Sequence, residues 1–192
     1  SVQIVLHVMR HYEKGNSSTL VHTHSFIHKH GLYSHFSVES SLVLMLVEDG
    51  NLSTARHVLD SSPLPCRSRQ SWNSLIHGYL KCGDSRHALF LYSKMREESV
   101  MPSDSVVSAL LKACAKLKDV ESGRQIHAHI DGTRSLESNA FVGTSLMDMY
   151  SKCGMIDQVR DVFDKISVRD VVSWNALIAG YGLHDRYQEA LE

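Results

Sequence analysis

Apolar residues recur along this 192-residue chain in short runs with a helical period. Between 71 and 82, Trp72, Leu75, Ile76 and Tyr79 take the i, i+3, i+4, i+7 spacing that lays one buried stripe along a helix. Gly83 and Asp84 interrupt the run, and glycine suits the left-handed conformation that closes a helix. A second apolar run follows at Ala88, Leu89, Leu91, Tyr92 and Met95. The design returns at Leu146, Met149 and Tyr150, with a break at Gly154 and then Val159, Val162, Phe163 and Ile166. Each run pair predicts a hairpin of two helices, each about 10–12 residues long. The three prolines, Pro63, Pro65 and Pro102, all fall outside these runs, where proline would cost a helix roughly 3 kcal/mol.

The hairpins repeat in sequence as well as in pattern. Ser71 to Tyr79 (SWNSLIHGY) returns as Ser173 to Tyr181 (SWNALIAGY), an offset of 102 residues. Val21 to His24 matches Ile126 to His129, and Gly50 to Asp60 matches Gly154 to Asp164, at offsets of 105 and 104. A supercycle of this length holds three unequal repeats. The glycine and tryptophan landmarks place them at 1–35, 36–68, 69–103, 104–139, 140–170 and 171–192, the first and last truncated. No single hairpin can bury its apolar face, so neighbours must stack. The expected fold is all-α: a right-handed α-solenoid forming a single elongated domain, with one surface built from successive first helices.

Composition narrows the chemistry. An apolar content of 43% is ample for a core, and no stretch approaches the ~20 apolar residues needed to span a bilayer. A formal charge of −1 argues against simple electrostatic capture of nucleic acid but leaves room for a recessed basic strip. Ser1 stands where an initiator Met is expected and Glu192 falls inside a helical run, so the sequence reads as a fragment. The four cysteines (Cys66, Cys82, Cys114, Cys153) form no CxxC pair, which fits a reducing compartment. Cys82 and Cys153 occupy equivalent repeat positions and are expected to pack in the interior.

Catalysis and metal binding find little support. Among thirteen histidines, His24 and His28 are spaced i, i+4, but no Cys or carboxylate completes a zinc set. The i, i+2 pairs His22/His24 and His127/His129 do not share a helical face. HEXXH, GxSxG, phosphate-loop and dinucleotide fingerprints are absent, as is the H-x-E with C-x-x-C of zinc deaminases. No cofactor is expected. Trp72 and Trp174, spaced with Leu75 and Leu177, are expected in the core.

Three segments carry a resemblance. SWNSLIHGYLKCGDSRHALFLYSKM, LLKACAKLKDVESGRQIHAHI and SLMDMYSKCGMIDQVRDVFDKI resemble the three motif types of plant pentatricopeptide repeat proteins of the P-L-S subclass. The repeat order reads L, S, P, L, S, P. The likeness is strongest from 69 to 192, and Val47-Glu48-Asp49-Gly50 departs from the usual Ser-Lys-Cys-Gly.

This resemblance implies single-stranded RNA binding, one base per repeat, read by a few side chains. In the family, the fifth residue of the first helix and the last residue of the repeat jointly choose the base. The pairs are Asn73 with Ser103, resembling cytosine readers, and Thr144 with Asp170, resembling guanine readers. Ser108 with Asn139 is assigned no base, Asn175 implies a pyrimidine, and Ser40 with Ser68 matches no trusted pair. Phe141 and Val172, at second positions, are expected to pack on bases, whereas Gln70 and Ser105 depart from the apolar type. Lys81, Lys116 and Lys152 recur late in three successive first helices and suggest a phosphate track, which Glu48 breaks. The implied role is address reading in mitochondrial or chloroplast RNA processing, above all C-to-U editing, with the deaminase C-terminal or supplied in trans. The chain itself is then no enzyme. The competing reading is a tetratricopeptide-type protein-interaction scaffold, but the W-x2-L-G-x2-Y signature and fixed 34-residue period are missing.

Overall fold

The computed structural model describes residues 2–10, 17–32, 35–63, 67–133 and 140–191. Among them are eleven α-helices and no strand. The first six are α1 (Val2–Arg10), α2 (Ser17–Lys29), α3 (Phe36–Glu48), α4 (Leu52–Ser61), α5 (Arg69–Lys81) and α6 (Ser85–Glu97). The remaining five are α7 (Asp104–Leu117), α8 (Val120–Thr133), α9 (Ala140–Lys152), α10 (Ile156–Lys165) and α11 (Val171–Leu183). They group into two compact units, Ser1–Pro102 and Ser103–Glu192.

Within the first unit, α3 packs on α4, α5 packs on α6, and α3 packs beside α5. Within the second, α7 and α11 both pack against α9, and α8 and α10 contact the same helix. Within each unit, consecutive first helices therefore pack against one another, and in the second unit they carry the candidate site.

The apolar stripes are the core. Trp72, Leu75, Ile76, Ala88, Leu91, Tyr92 and Met95 are buried in the first unit, and Leu146, Met149, Tyr150, Val159, Val162, Phe163 and Ile166 in the second. Gly83 and Gly154 both sit at φ +83° after α5 and α9, the left-handed closing geometry expected of them. Lys118 takes the same conformation, at φ +58°, after α7.

Two expectations need correction. Trp72 is 1% exposed, but Trp174 is 49% exposed. Helix α5 is covered by α6 as well as α3, whereas among the described residues no helix follows α11. Trp174 is left edge-on against Phe163, with ring centroids 4.7 Å apart. Nor is Cys82 an interior residue: it is exposed at the C-cap of α5, Cys153 is half-buried, and only Cys114 is buried. Those three thiols are free, and Cys66 lies outside the described residues.

Among the described residues no helix is long and apolar enough to cross a membrane. Those residues also hold no group of three or more His, Cys, Asp or Glu placed to hold a metal. His127 instead shares a hydrogen bond through Nδ1 with the Tyr150 hydroxyl, at 2.9 Å.

Candidate functional site

Side-by-side packing of α7, α9 and α11 opens a groove of about 530 Å³ in the second unit. Helix α7 contributes Ser108 and Lys112, and α9 contributes Ala140, Phe141, Thr144, Ser145 and Asp148. Asp170, at the start of α11, adds a carboxylate, and the helix itself supplies Val172, Asn175 and Ala176. Six residues singled out in the sequence thus border one cleft: Ser108, Phe141, Thr144, Asp170, Val172 and Asn175.

The groove has apolar walls and a polar interior. Phe141 and Val172 stand 58% and 59% exposed, open to cover a flat apolar ligand face. Below them Ser108 is 2% exposed, and its hydroxyl lies 2.7 Å from that of Ser145, so the two satisfy each other across α7 and α9. Ser108 therefore forms part of the floor. Thr144 donates its hydroxyl proton to the carbonyl of Ala140 at 2.8 Å, which leaves the oxygen as an acceptor toward the groove. Asn175, exposed on α11, adds an amide able both to donate and to accept.

Asp170 has a second task. It is the N-cap of α11: Oδ1 accepts from the Ser173 amide at 2.8 Å, and the Ser173 hydroxyl returns to the Asp170 backbone as a capping box. That amide hydrogen bond holds the Asp170 carboxyl below its usual range. It is ionised and presents only acceptors. Asp170 and Thr144 together give the groove two acceptors, the complement of a base edge rich in N–H groups.

The lysines divide. Lys81, Lys116 and Lys152 are exposed in the last turns of α5, α7 and α9. Lys152 is engaged: Nζ donates to Asp148 Oδ2 at 2.8 Å, and its own carbonyl accepts from Lys118 Nζ. The cation that lines the groove is Lys112, which holds no reading position in the repeat motifs. Its position one turn after Ser108 was the available signal, because residues four apart share a helical face.

Asn73 is half-buried on α5, and Ser103 is the N-cap of α7, accepting from the Val106 amide at 3.4 Å. Asn73 belongs to the first compact unit and Ser103 to the second. Asn139 lies outside the described residues.

Comparison with known proteins agrees with this architecture. The PPR repeat family matches residues 68–116, and the PPR repeat matches residues 144–171 and 172–192. Pentatricopeptide repeat-containing protein At4g30700 of Arabidopsis thaliana is 35% identical over 168 residues, covering 88% of this chain and 21% of the relative. At2g33680, another Arabidopsis thaliana protein of that description, is 39% identical over 170 residues, covering 88% of this chain and 23% of the relative. The chain thus spans under a quarter of the length of these two relatives. Among solved structures, the pentatricopeptide repeat protein PPR10 from maize superposes with a TM-score of 0.75 at 20% identity, covering 98% of this chain and 27% of that one. PPR10 in complex with an 18-nt psaJ RNA element gives 0.58 at 17% identity, covering 97% and 29%. Hairpin repeats, repeated motifs and these matches lead to one assignment: the chain belongs to the pentatricopeptide repeat family and has its all-helical solenoid fold.

Proposed function

We propose that the chain binds single-stranded RNA in a base-selective manner, as part of a longer address-reading array of the P-L-S subclass. The observation that carries this reading is the groove of the second unit, where Phe141, Thr144, Asp170, Val172 and Asn175 border one cleft. A base stacked between Phe141 and Val172 gains contact on both faces, worth ~1–3 kcal/mol for the aromatic side. Its edge then meets the acceptors of Thr144 and Asp170, which match the N1–H and N2–H donors of guanine. Asn175 serves the next base, a pyrimidine, and Asn73 serves an earlier cytosine. The bound RNA of the PPR10 complex supports the choice of ligand. The role is site selection in mitochondrial or chloroplast RNA processing, foremost C-to-U editing, with catalysis supplied by another domain or a partner deaminase.

The test is selection of the 192-residue chain against a randomised single-stranded RNA pool at about 150 mM salt, where nonspecific binding is weakened. The expected enrichment, 5′ to 3′, is C, any base, G, then a pyrimidine, with C lost in Asn73→Ala and G lost in Thr144→Ala. A pool left flat by a folded chain would favour a protein-interaction scaffold instead.

A further inference from the structure

Two lysines near the groove of the second unit differ in their electrostatic state. Lys152 Nζ is bonded to Asp148 Oδ2 at 2.8 Å, and Asp148 itself lines the groove. Lys112 lines the groove from α7 and makes no ion pair or hydrogen bond among the described residues. Besides the Asp170 carboxylate, two charges line the groove, each one turn after a polar groove residue: Lys112 after Ser108, Asp148 after Thr144. The corresponding place on α11, one turn after Asn175, is Ala179, which carries no charge. A polyanion lying along these helices therefore meets a free ammonium on α7 and a carboxylate on α9 whose neighbouring lysine is already occupied.

We infer that Lys112 is the phosphate-contacting cation of this groove, and that Asp148 restrains binding by holding Lys152 in an ion pair. The inference rests on the RNA-binding reading above. Lys152 in the last turn of α9 looks like the phosphate contact by its place in the repeat, but its ammonium is already paired. The Asp148–Lys152 pair is half-exposed, a class of ion pair that contributes little to stability and breaks readily. Removing the carboxylate therefore frees a cation without unfolding the helix. Lys112 is also exposed, so its replacement leaves the core intact.

The experiment is fluorescence anisotropy of the 192-residue chain with a labelled, randomised single-stranded RNA, titrated between about 50 and about 200 mM salt. Thermal melts of each variant verify folding. Lys112→Gln is expected to weaken binding several-fold across all sequences and to flatten the salt slope by about 0.7, the loss of one phosphate contact to single-stranded nucleic acid. Asp148→Asn is expected to tighten binding several-fold and steepen the slope by a similar amount. In a Lys152→Gln background the Asp148→Asn gain should vanish, because the cation it releases is gone. A native chain that binds while Lys112→Gln leaves affinity and slope unchanged overturns the inference alone. So does an Asp148→Asn gain that persists without Lys152. A native chain that fails to bind at the lowest salt overturns the RNA reading and this inference with it.

Discussion

The Ser71 hydroxyl donates to the Glu39 carboxylate at 2.8 Å, joining α5 to α3 through a fully buried acid. Ser71 also lies 2.7 Å, oxygen to oxygen, from Ser68, the N-cap of α5, so a three-member polar chain runs between the helices. Glu39 Oε1 has no hydrogen-bond partner among the described residues. Burial pushes the Glu39 carboxyl up from 4.5 to about 7, against the smaller opposing pulls of Ser71, Ser68 and Arg67.

The folded chain therefore keeps a proton on Glu39 that the unfolded chain gives up. Its stabilising contribution is complete below pH 4.5 and is lost as pH rises through about 7. Glu39→Gln, which keeps the shape and the acceptor but cannot ionise, should match the native melting temperature near pH 4.5. At pH 8 it should exceed native stability by about 1–3 kcal/mol. Parallel thermal melts across that range test this, and a difference that does not grow with pH would contradict it.

The two SWN motifs predict opposite responses at their glycines. A Cβ on Gly78 would lie 2.7 Å from Leu52 Cδ2 and 2.9 Å from Val47 Cγ1, so a side chain there would force those methyl groups to move. A Cβ on Gly180 would meet Val159 Cγ1 at 3.4 Å, an ordinary contact. Gly78→Ala should lose about 1–3 kcal/mol to overpacking, more than the helix-propensity gain of about 1 kcal/mol. Gly180→Ala should keep that gain. Urea midpoints of the two variants decide the matter, and equal shifts would remove the distinction.

Much of this fold was legible in sequence because a buried stripe and a closing glycine are local signals. Leu75, Ile76, Leu146 and Met149 are buried where their spacing put them, and Gly83 closes α5 as its chemistry suggested. Trp174 was misread because burial depends on neighbours, and the same motif stands in two different surroundings at Trp72 and Trp174. Glu39 was invisible for a related reason. In FSVESSLV it reads as a first-turn acid favoured by the helix dipole, and only the packing of α5 against α3 makes it a buried acid. The motif singled out Thr144, Asp170 and Asn175, which the fold brings to one groove, whereas Lys112 and Asp148 hold no reading position in the motif and are drawn in by that groove.

Arg67 illustrates the junction between hairpins. Its guanidinium donates to the carbonyls of Ser62 and Asp60 at 3.0 and 2.8 Å, just past and within the end of α4, and pairs with Glu98. Three groups in fork geometry suit Arg and not Lys. Arg67→Lys should therefore destabilise nearly as much as Arg67→Ala, by about 1–3 kcal/mol. Arg169 repeats the contact to the carbonyls of Phe163 and Asp164 at 3.3 and 3.2 Å, but it is more exposed and has a longer ion pair, 3.9 Å to Asp164. Its substitution should cost less. A melting shift at Arg169 equal to that at Arg67 would show that Glu98 adds nothing.

Asp170 both caps α11 and faces the groove, and these roles separate by substitution. Asn caps a helix about as well as Asp but replaces one acceptor oxygen with donors. Asp170→Asn should melt like the native chain yet lose its preference for guanine beside Thr144, moving toward bases that present an acceptor. Asp170→Ala should lose both the cap and the preference. The cap also carries a pH signature: because the carboxyl is held below its usual range, its contribution is complete above the ordinary carboxylate range and fades as acid protonates it. Asp170→Asn should therefore resist acid slightly better than the native chain while recognising RNA differently. Melting curves at neutral and acid pH, run beside RNA selection, read both roles. If Asp170→Asn leaves base preference intact, the residue is a helix cap alone and guanine recognition must lie elsewhere in the groove.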